Sequence, residues 1–225
     1  MGKAFWGSVR TFDVDIDIGT KVIDINRSID VGEQVTKILS FLLSVNTGRE
    51  VCYNDLGCFT SSFPWSGLPE SPEEINTRFL VFTKDTMENY KVISARNLSS
   101  ITASSFRPHK VTRFIIQGYI NDEYRNWIRD MCLKLFTIED VNCIAVTWSK
   151  GSEDFHPTKQ GSINIRVVSA EVALVIQTLT DRFNCSRSNI HLIGHGLGAH
   201  AAGQTGRRIP GLGRITVIPV TTVLL

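Results

Sequence analysis

The apolar run Ile190-His191-Leu192-Ile193 leads directly into Gly194-His195-Gly196-Leu197-Gly198, and the helix-forming Ala199-His200-Ala201-Ala202 follows. Glycine at alternate positions between a strand and a helix specifies a tight turn, in which flanking side chains would collide with the neighbouring strand and helix. The spacing is that of G-x-S-x-G, the strand–turn–helix motif that raises a nucleophilic serine at the top of a sheet. Gly196 occupies the serine's position, between Gly194-His195 and Leu197-Gly198. The frame for an acyl-transfer nucleophile is present and the nucleophile is missing. A phosphate-binding turn is the competing reading, but neither G-x-G-x-x-G nor a Lys-Ser pair accompanies the run.

The surrounding pattern supports an α/β architecture. Thr77 to Thr83 and Tyr90 to Ser94 read as strands, and Val111 to Ile116 as a buried strand that ends in Gln117-Gly118-Tyr119. From Asp122 to Phe136, Ile128, Met131, Cys132 and Leu135 define a helical face. Asn142 to Trp148 is rich in β-branched residues, and a loop containing Gly151 and Gly161 is expected after it. Val168, Val172, Val175, Leu179 and Phe183 recur at helical spacing, so a helix is predicted over Ile165 to Phe183. The elbow strand is Ile190 to Ile193, its helix runs to about Arg208, Pro210-Gly211 breaks it, and Arg214 begins another strand. Alternating strands and helices imply right-handed βαβ units and a mostly parallel sheet. In such a sheet the turn after an early strand offers a backbone N–H to the reacting carbonyl oxygen. Tyr119 would supply that donor, and Leu197 the second.

The first 37 residues differ from the rest. Phe12 to Ile18 and Val22 to Asn26 alternate apolar and polar residues around Gly19-Thr20, as a hairpin would. Its aspartates lack the spacing of a calcium loop. Ile38 to Val45 has the length and exit of a signal-peptide core, although a long segment precedes it; a short core element fits equally. Twenty-four basic against 22 acidic residues give a net charge of +2, no footprint for nucleic acid. No uninterrupted apolar run reaches the roughly 18 residues of a membrane span. The five cysteines, Cys52, Cys58, Cys132, Cys143 and Cys185, suit neither a zinc site nor a C-x-x-C pair; two local bridges and one free thiol are one of several pairings. His195 and His200 fall in and after the turn, where a general base would not come from, and His109, His156 and His191 have no partner visible in sequence. Asn97-Leu98-Ser99 and Asn184-Cys185-Ser186 match the glycan-acceptor pattern.

From about Arg49 to Thr216, roughly three quarters of the chain, the sequence resembles the N-terminal half of the pancreatic triglyceride lipase family. Glu50-Val51-Cys52-Tyr53-Asn54-Asp55-Leu56-Gly57-Cys58-Phe59, Pro64-Trp65 and Ile75-Asn76-Thr77-Arg78-Phe79-Leu80 carry the first part of it. Thr112 to Ile116, Asp130-Met131-Cys132, Val141 to Ile144, Asn164 to Val168 and Ala170 to Ala173 continue it. His191 to His195, Leu197 to His200 and Gly211 to Thr216 complete it. The resemblance implies an α/β-hydrolase fold, secretion, and hydrolysis of acylglycerol esters at a lipid–water interface. It also implies bridges Cys52–Cys58 and Cys132–Cys143, with Cys185 free. Residues 1–37 then read as an atypical extension, 38–48 as a possible signal core and exit, and 49–225 as a lipase-like domain incomplete on its C-terminal side.

Departures from the family pattern bear on the chemistry. The serine position is Gly196, and the oxyanion turn His-Gly-Phe is Gln117-Gly118-Tyr119. Where the family places its catalytic aspartate after Arg-Ile-Thr, this chain has Val217-Ile218-Pro219-Val220. The sequence ends at Leu225, ahead of the family's lid, triad histidine, calcium-binding loop and C-terminal colipase-binding domain, so no metal, cofactor or colipase partner is expected. The expectation is a lipase-like protein without catalysis. The alternatives are a lipid- or lipase-binding module, a fragment without independent function, and weak esterase chemistry through Ser162 or Ser169.

Overall fold

The computed structural model describes residues 48–62, 65, 67–87, 89–118, 127–152 and 157–218. The alternating segment 12–26, the apolar run 38–45, Tyr119, His156 and Pro219 onwards lie outside the described residues. The chain divides into two compact units, Met1–Val45 and Asn46–Leu225, and the description concerns the second.

Strands β1 (Glu50–Tyr53) and β2 (Gly57–Thr60) form an antiparallel hairpin in which Cys52 faces Cys58. A disulfide joins the two. The turn is made by Asp55 and Gly57, at φ 64° and 89°. This segment reads in sequence as an irregular polar stretch, because four-residue strands are too short to establish an alternating pattern. The short helix α1 (Pro72–Ile75) follows, capped by Ser71 and Glu74 reciprocally.

A six-stranded sheet builds the centre. Its strands are β3 (Arg78–Phe82), β4 (Lys91–Ile93), β5 (Thr112–Ile116), β6 (Asn142–Thr147), β7 (Ile190–His195) and β8 (Arg214–Ile218), in the spatial order β4-β3-β6-β5-β7-β8. β5, β6, β7 and β8 pair in parallel, while β3 is antiparallel to both β4 and β6. The sheet is therefore mostly parallel with an antiparallel flank, and its flanking helices give the α/β-hydrolase arrangement. The remaining helices are α2 (Leu98–Thr102), α3 (Trp127–Phe136), α4 (Ser149–Ser152), α5 (Pro157–Phe183) and α6 (Leu197–Arg208).

Both faces of the sheet are covered, so its central strands read as continuous apolar runs. Phe114 and Ile116 of β5, Ile144 and Val146 of β6 and Leu192 of β7 face a core shared with α5 and α6. Ile115, Cys143, Ala145 and Ile193 face the opposite way, onto Ile128, Cys132 and Phe136 of α3. The disulfide Cys132–Cys143 fastens α3 to β6. Val168, Val172, Val175 and Leu179, the helical stripe visible in sequence, are all buried.

Three expectations need correction. Gly151 and Gly161, expected in a loop, both lie in helices, α4 and the first turns of α5. Glycine lowers helix propensity, but at Gly151 it admits a neighbour, since a Cβ there would lie 2.9 Å from Ile75 Cγ2; one on Gly161 would make ordinary contact, 3.4 Å from Leu197 Cδ1. Helix α5 consequently begins at Pro157, ahead of the predicted Ile165, and β7 continues past Ile193 to His195. By length and composition Gln160–Phe183 also passes for a membrane span, but 78% of its apolar window is buried in the fold. It is the central helix of the core.

Candidate active site at the elbow

The end of β7 turns sharply into α6 through Gly196, at φ 55° and ψ −121°. This is a region that side-chain-bearing residues occupy only under strain. The Gly196 N–H donates to the Ile218 carbonyl at 3.1 Å, and its own carbonyl accepts from the Ala199 N–H at 3.0 Å. The turn is thus tied to β8 on one side and continues into helix on the other. Gly198 makes the close approach possible: a Cβ there would stand 2.6 Å from the Gln117 carbonyl oxygen and closer still to that of Ile116. Gly118 meets the turn from the opposite direction, with the Leu197 nitrogen 3.2 Å from where its Cβ would be. The exit of β5, the elbow and the first turn of α6 therefore touch backbone to backbone.

That contact brings Leu197, one of the two expected oxyanion donors, beside the end of β5. Tyr119, the other, lies outside the described residues. The β5 exit is fixed by Gln117, whose N–H donates to Val146 O at 3.2 Å and whose carbonyl accepts from Trp148 Nε1 at 2.8 Å. Trp148 and Gln117 are both buried. Sequence reading missed this tie, although a tryptophan at the end of the strand adjoining β5 is the available signal.

No side chain projects from residue 196, and none of the described residues around the turn forms a nucleophile–base pair. His195 packs its ring on Trp127 at 5.2 Å. His200 is exposed on α6. Ser162 lies within α5, and Ser169 is buried there, donating its hydroxyl to the Arg166 carbonyl at 2.8 Å. Cys185 is a free, buried thiol whose pKa burial raises. Among the described residues one metal-like group is formed, by Glu50, Cys52 and Cys58, but both sulfurs are committed to the disulfide. Asn97 and Asn184 are exposed, Asn184 at φ 62°.

The opposite end of β7 has side-chain chemistry that sequence did not reveal. Arg113 on β5, His191 on β7 and Arg214 on β8 occupy matching register positions. An Arg113 guanidinium nitrogen donates to His191 Nδ1, and His191 Nε2 lies 2.8 Å from Thr216 Oγ1. Arginine can only donate, so Nδ1 accepts and the Nε2–H tautomer donates to Thr216. Arg113 also holds Glu139 through two bonds, 2.8 Å from Nε and 2.7 Å from Nη2. Burial, with the positive charges of Arg113 and Arg214 adding to it against Glu139, lowers the His191 pKa to about 4. His191 is therefore neutral and fully partnered. The partners are 78 and 25 residues away in sequence, which is why it reads as isolated there.

A family model described as Lipase matches residues 49–223. The chain is 48% identical over 184 residues to "Inactive pancreatic lipase-related protein 1" of Mus musculus, covering 78% of this chain and 38% of that protein. It is 48% identical over 187 residues to "Pancreatic triacylglycerol lipase" of Homo sapiens, covering 79% and 40%. "Pancreatic lipase-related protein 2" of Mus musculus is 46% identical over 188 residues, covering 80% and 39%. The chain thus spans about two fifths of the length of these relatives.

Proposed function

The chain belongs to the lipase family, and from that premise we propose that it is a pancreatic-lipase-like member without ester-hydrolase activity. The observation that carries this reading is Gly196: the turn has the elbow's backbone, and the residue at its apex has no side chain. Acyl transfer through an elbow needs a hydroxyl activated by a base that is itself oriented by a carboxylate. Beyond β8, where the family places that carboxylate, the sequence continues with Pro219. Triad members act as a unit, so what remains without them is binding and oxyanion stabilisation.

On this reading residues 49–225 are the lipase-like domain, residues 38–48 a signal-type core and exit, and residues 1–37 an added segment. Its two disulfides suit an oxidising, extracellular setting. The ligand class is an acylglycerol surface, and neither metal nor cofactor is assigned. A binding module for lipid or for another lipase is the second reading, favoured by the retention of the elbow's close packing around Gly198 despite the loss of its apex side chain.

The test is turnover of an emulsified triglyceride and of a soluble short-chain ester, alongside labelling with a serine-directed phosphonate. Background rates and no label are expected. Phosphonate-sensitive turnover with label on Ser162, Ser169 or another serine would overturn the reading.

A further inference from the structure

Arg166 on α5 is 7% exposed. Its guanidinium carbon lies 5.3 Å from the Phe59 ring centroid and 4.9 Å from that of Trp65. Its Nη1 is buried with no hydrogen-bond partner. Arg208 of α6 reaches the same Phe59 ring at 5.9 Å. Two guanidinium groups thus share one aromatic ring, and no carboxylate pairs with either among the described residues. An unpaired buried cation is costly, and here a second cation stands beside it. Burial, together with the Arg208 charge, lowers the Arg166 pKa.

A cleft of about 480 Å³ opens beside Trp65 and Arg208. Its walls include Trp65, His200, Gln204, Arg207 and Arg208. The Gln204 side-chain amide reaches Ser169 Oγ at 3.4 Å. The described walls therefore offer cations without an acidic group. A carboxylate ligand brings one negative charge. A phosphate brings close to two, with oxygens arranged to engage several guanidinium donors at once.

We propose that this cleft binds a phosphate group, held by Arg208 and Arg207 at the wall, with Arg166 behind Trp65 supplying the buried charge. The site lies along α6 and does not depend on whether the chain hydrolyses esters. The phosphate can belong to a free anion or to the headgroup of an anionic phospholipid.

The test uses the full chain. Calorimetric titration with inorganic phosphate at low ionic strength is compared with sedimentation on phosphatidylcholine vesicles, with and without phosphatidic acid. Saturable phosphate binding is expected, weakened about tenfold by Arg208→Gln, the size of effect a lost charged hydrogen bond gives. If the natural source is a lipid headgroup, the chain sediments with phosphatidic acid vesicles and free phosphate competes it off. If the source is a free anion, phosphate binds and the vesicles do not retain the chain. Arg166→Met should abolish binding, but because it alters the core, the exposed Arg208→Gln decides. No saturable binding by either ligand, or binding that Arg208→Gln leaves unchanged, overturns the proposal.

Discussion

The two ends of β7 solve the same problem by different means. At His191 the strand is joined to β5 and β8 by side chains: Arg113 on one flank, Thr216 on the other, and Glu139 behind Arg113. At Gly194–Gly198, three residues further on, the joints are made by backbone, because a Cβ on Gly194 or Gly198 would obstruct them. One end has charge, tautomer and hydrogen-bond direction fixed. The other has shape with no functional group at its apex. The turn is therefore held by packing among β5, β7 and α6, independently of what stands at its apex.

Gly198→Ala should have the largest effect, since its Cβ would enter the Ile116 and Gln117 carbonyls. A loss of about 3 kcal/mol or more is expected, read as a collapsed urea midpoint or as insoluble protein. Tolerance of alanine there would show that the backbone joint is looser than its geometry.

Acid should strike the other end. The folded pKa of His191, about 4, lies below its ordinary 6.5. The unfolded chain therefore binds the proton more readily. The contribution of His191 is complete above about pH 6.5 and declines as pH falls toward 4, on the order of 2–3 kcal/mol in total. Denaturant midpoints measured from pH 7 to pH 4 should drop, and His191→Gln should flatten that part of the profile. An unchanged slope in the variant would remove His191 from the explanation.

Gly196→Ser probes the apex. Placing a side chain at φ 55°, ψ −121° costs about 1–2 kcal/mol, and the esterase rate should stay at background because none of the described residues around the turn forms a base oriented by an acid. A hundredfold gain would show that His195 or His200 can serve as base. The smallest change is expected for Thr216→Val, which removes the acceptor of the His191 Nε2–H and should cost about 1 kcal/mol.

These contrasts also explain what was legible in the sequence. The elbow announced itself because its constraints are local: glycines at 194, 196 and 198 between an apolar run and an alanine-rich helix. The stripe from Val168 to Leu179 was equally plain, since burial on one helix face leaves a period. The His191 tie left no such trace, as register between β5, β7 and β8 is set only by the assembled sheet. Gly151 and Gly161 misled for a related reason. Their local propensity says loop, while the assembled helices override it, and at Gly151 the remote Ile75 needs the space that a side chain would fill. The hairpin at Cys52 and Cys58 was hidden by the brevity of its strands.

The conformation of Gly196 sets what its own position can accept. With glycine at the apex, the turn rests in a shape that serine would have to be forced into. Any side chain introduced at the apex meets that stability penalty at once. Meanwhile the close packing at Gly198 preserves the mould whether or not anything is cast in it. Glycine at the apex is thus easier to hold than to replace: the turn is unstrained as it stands and strained as soon as a side chain enters it.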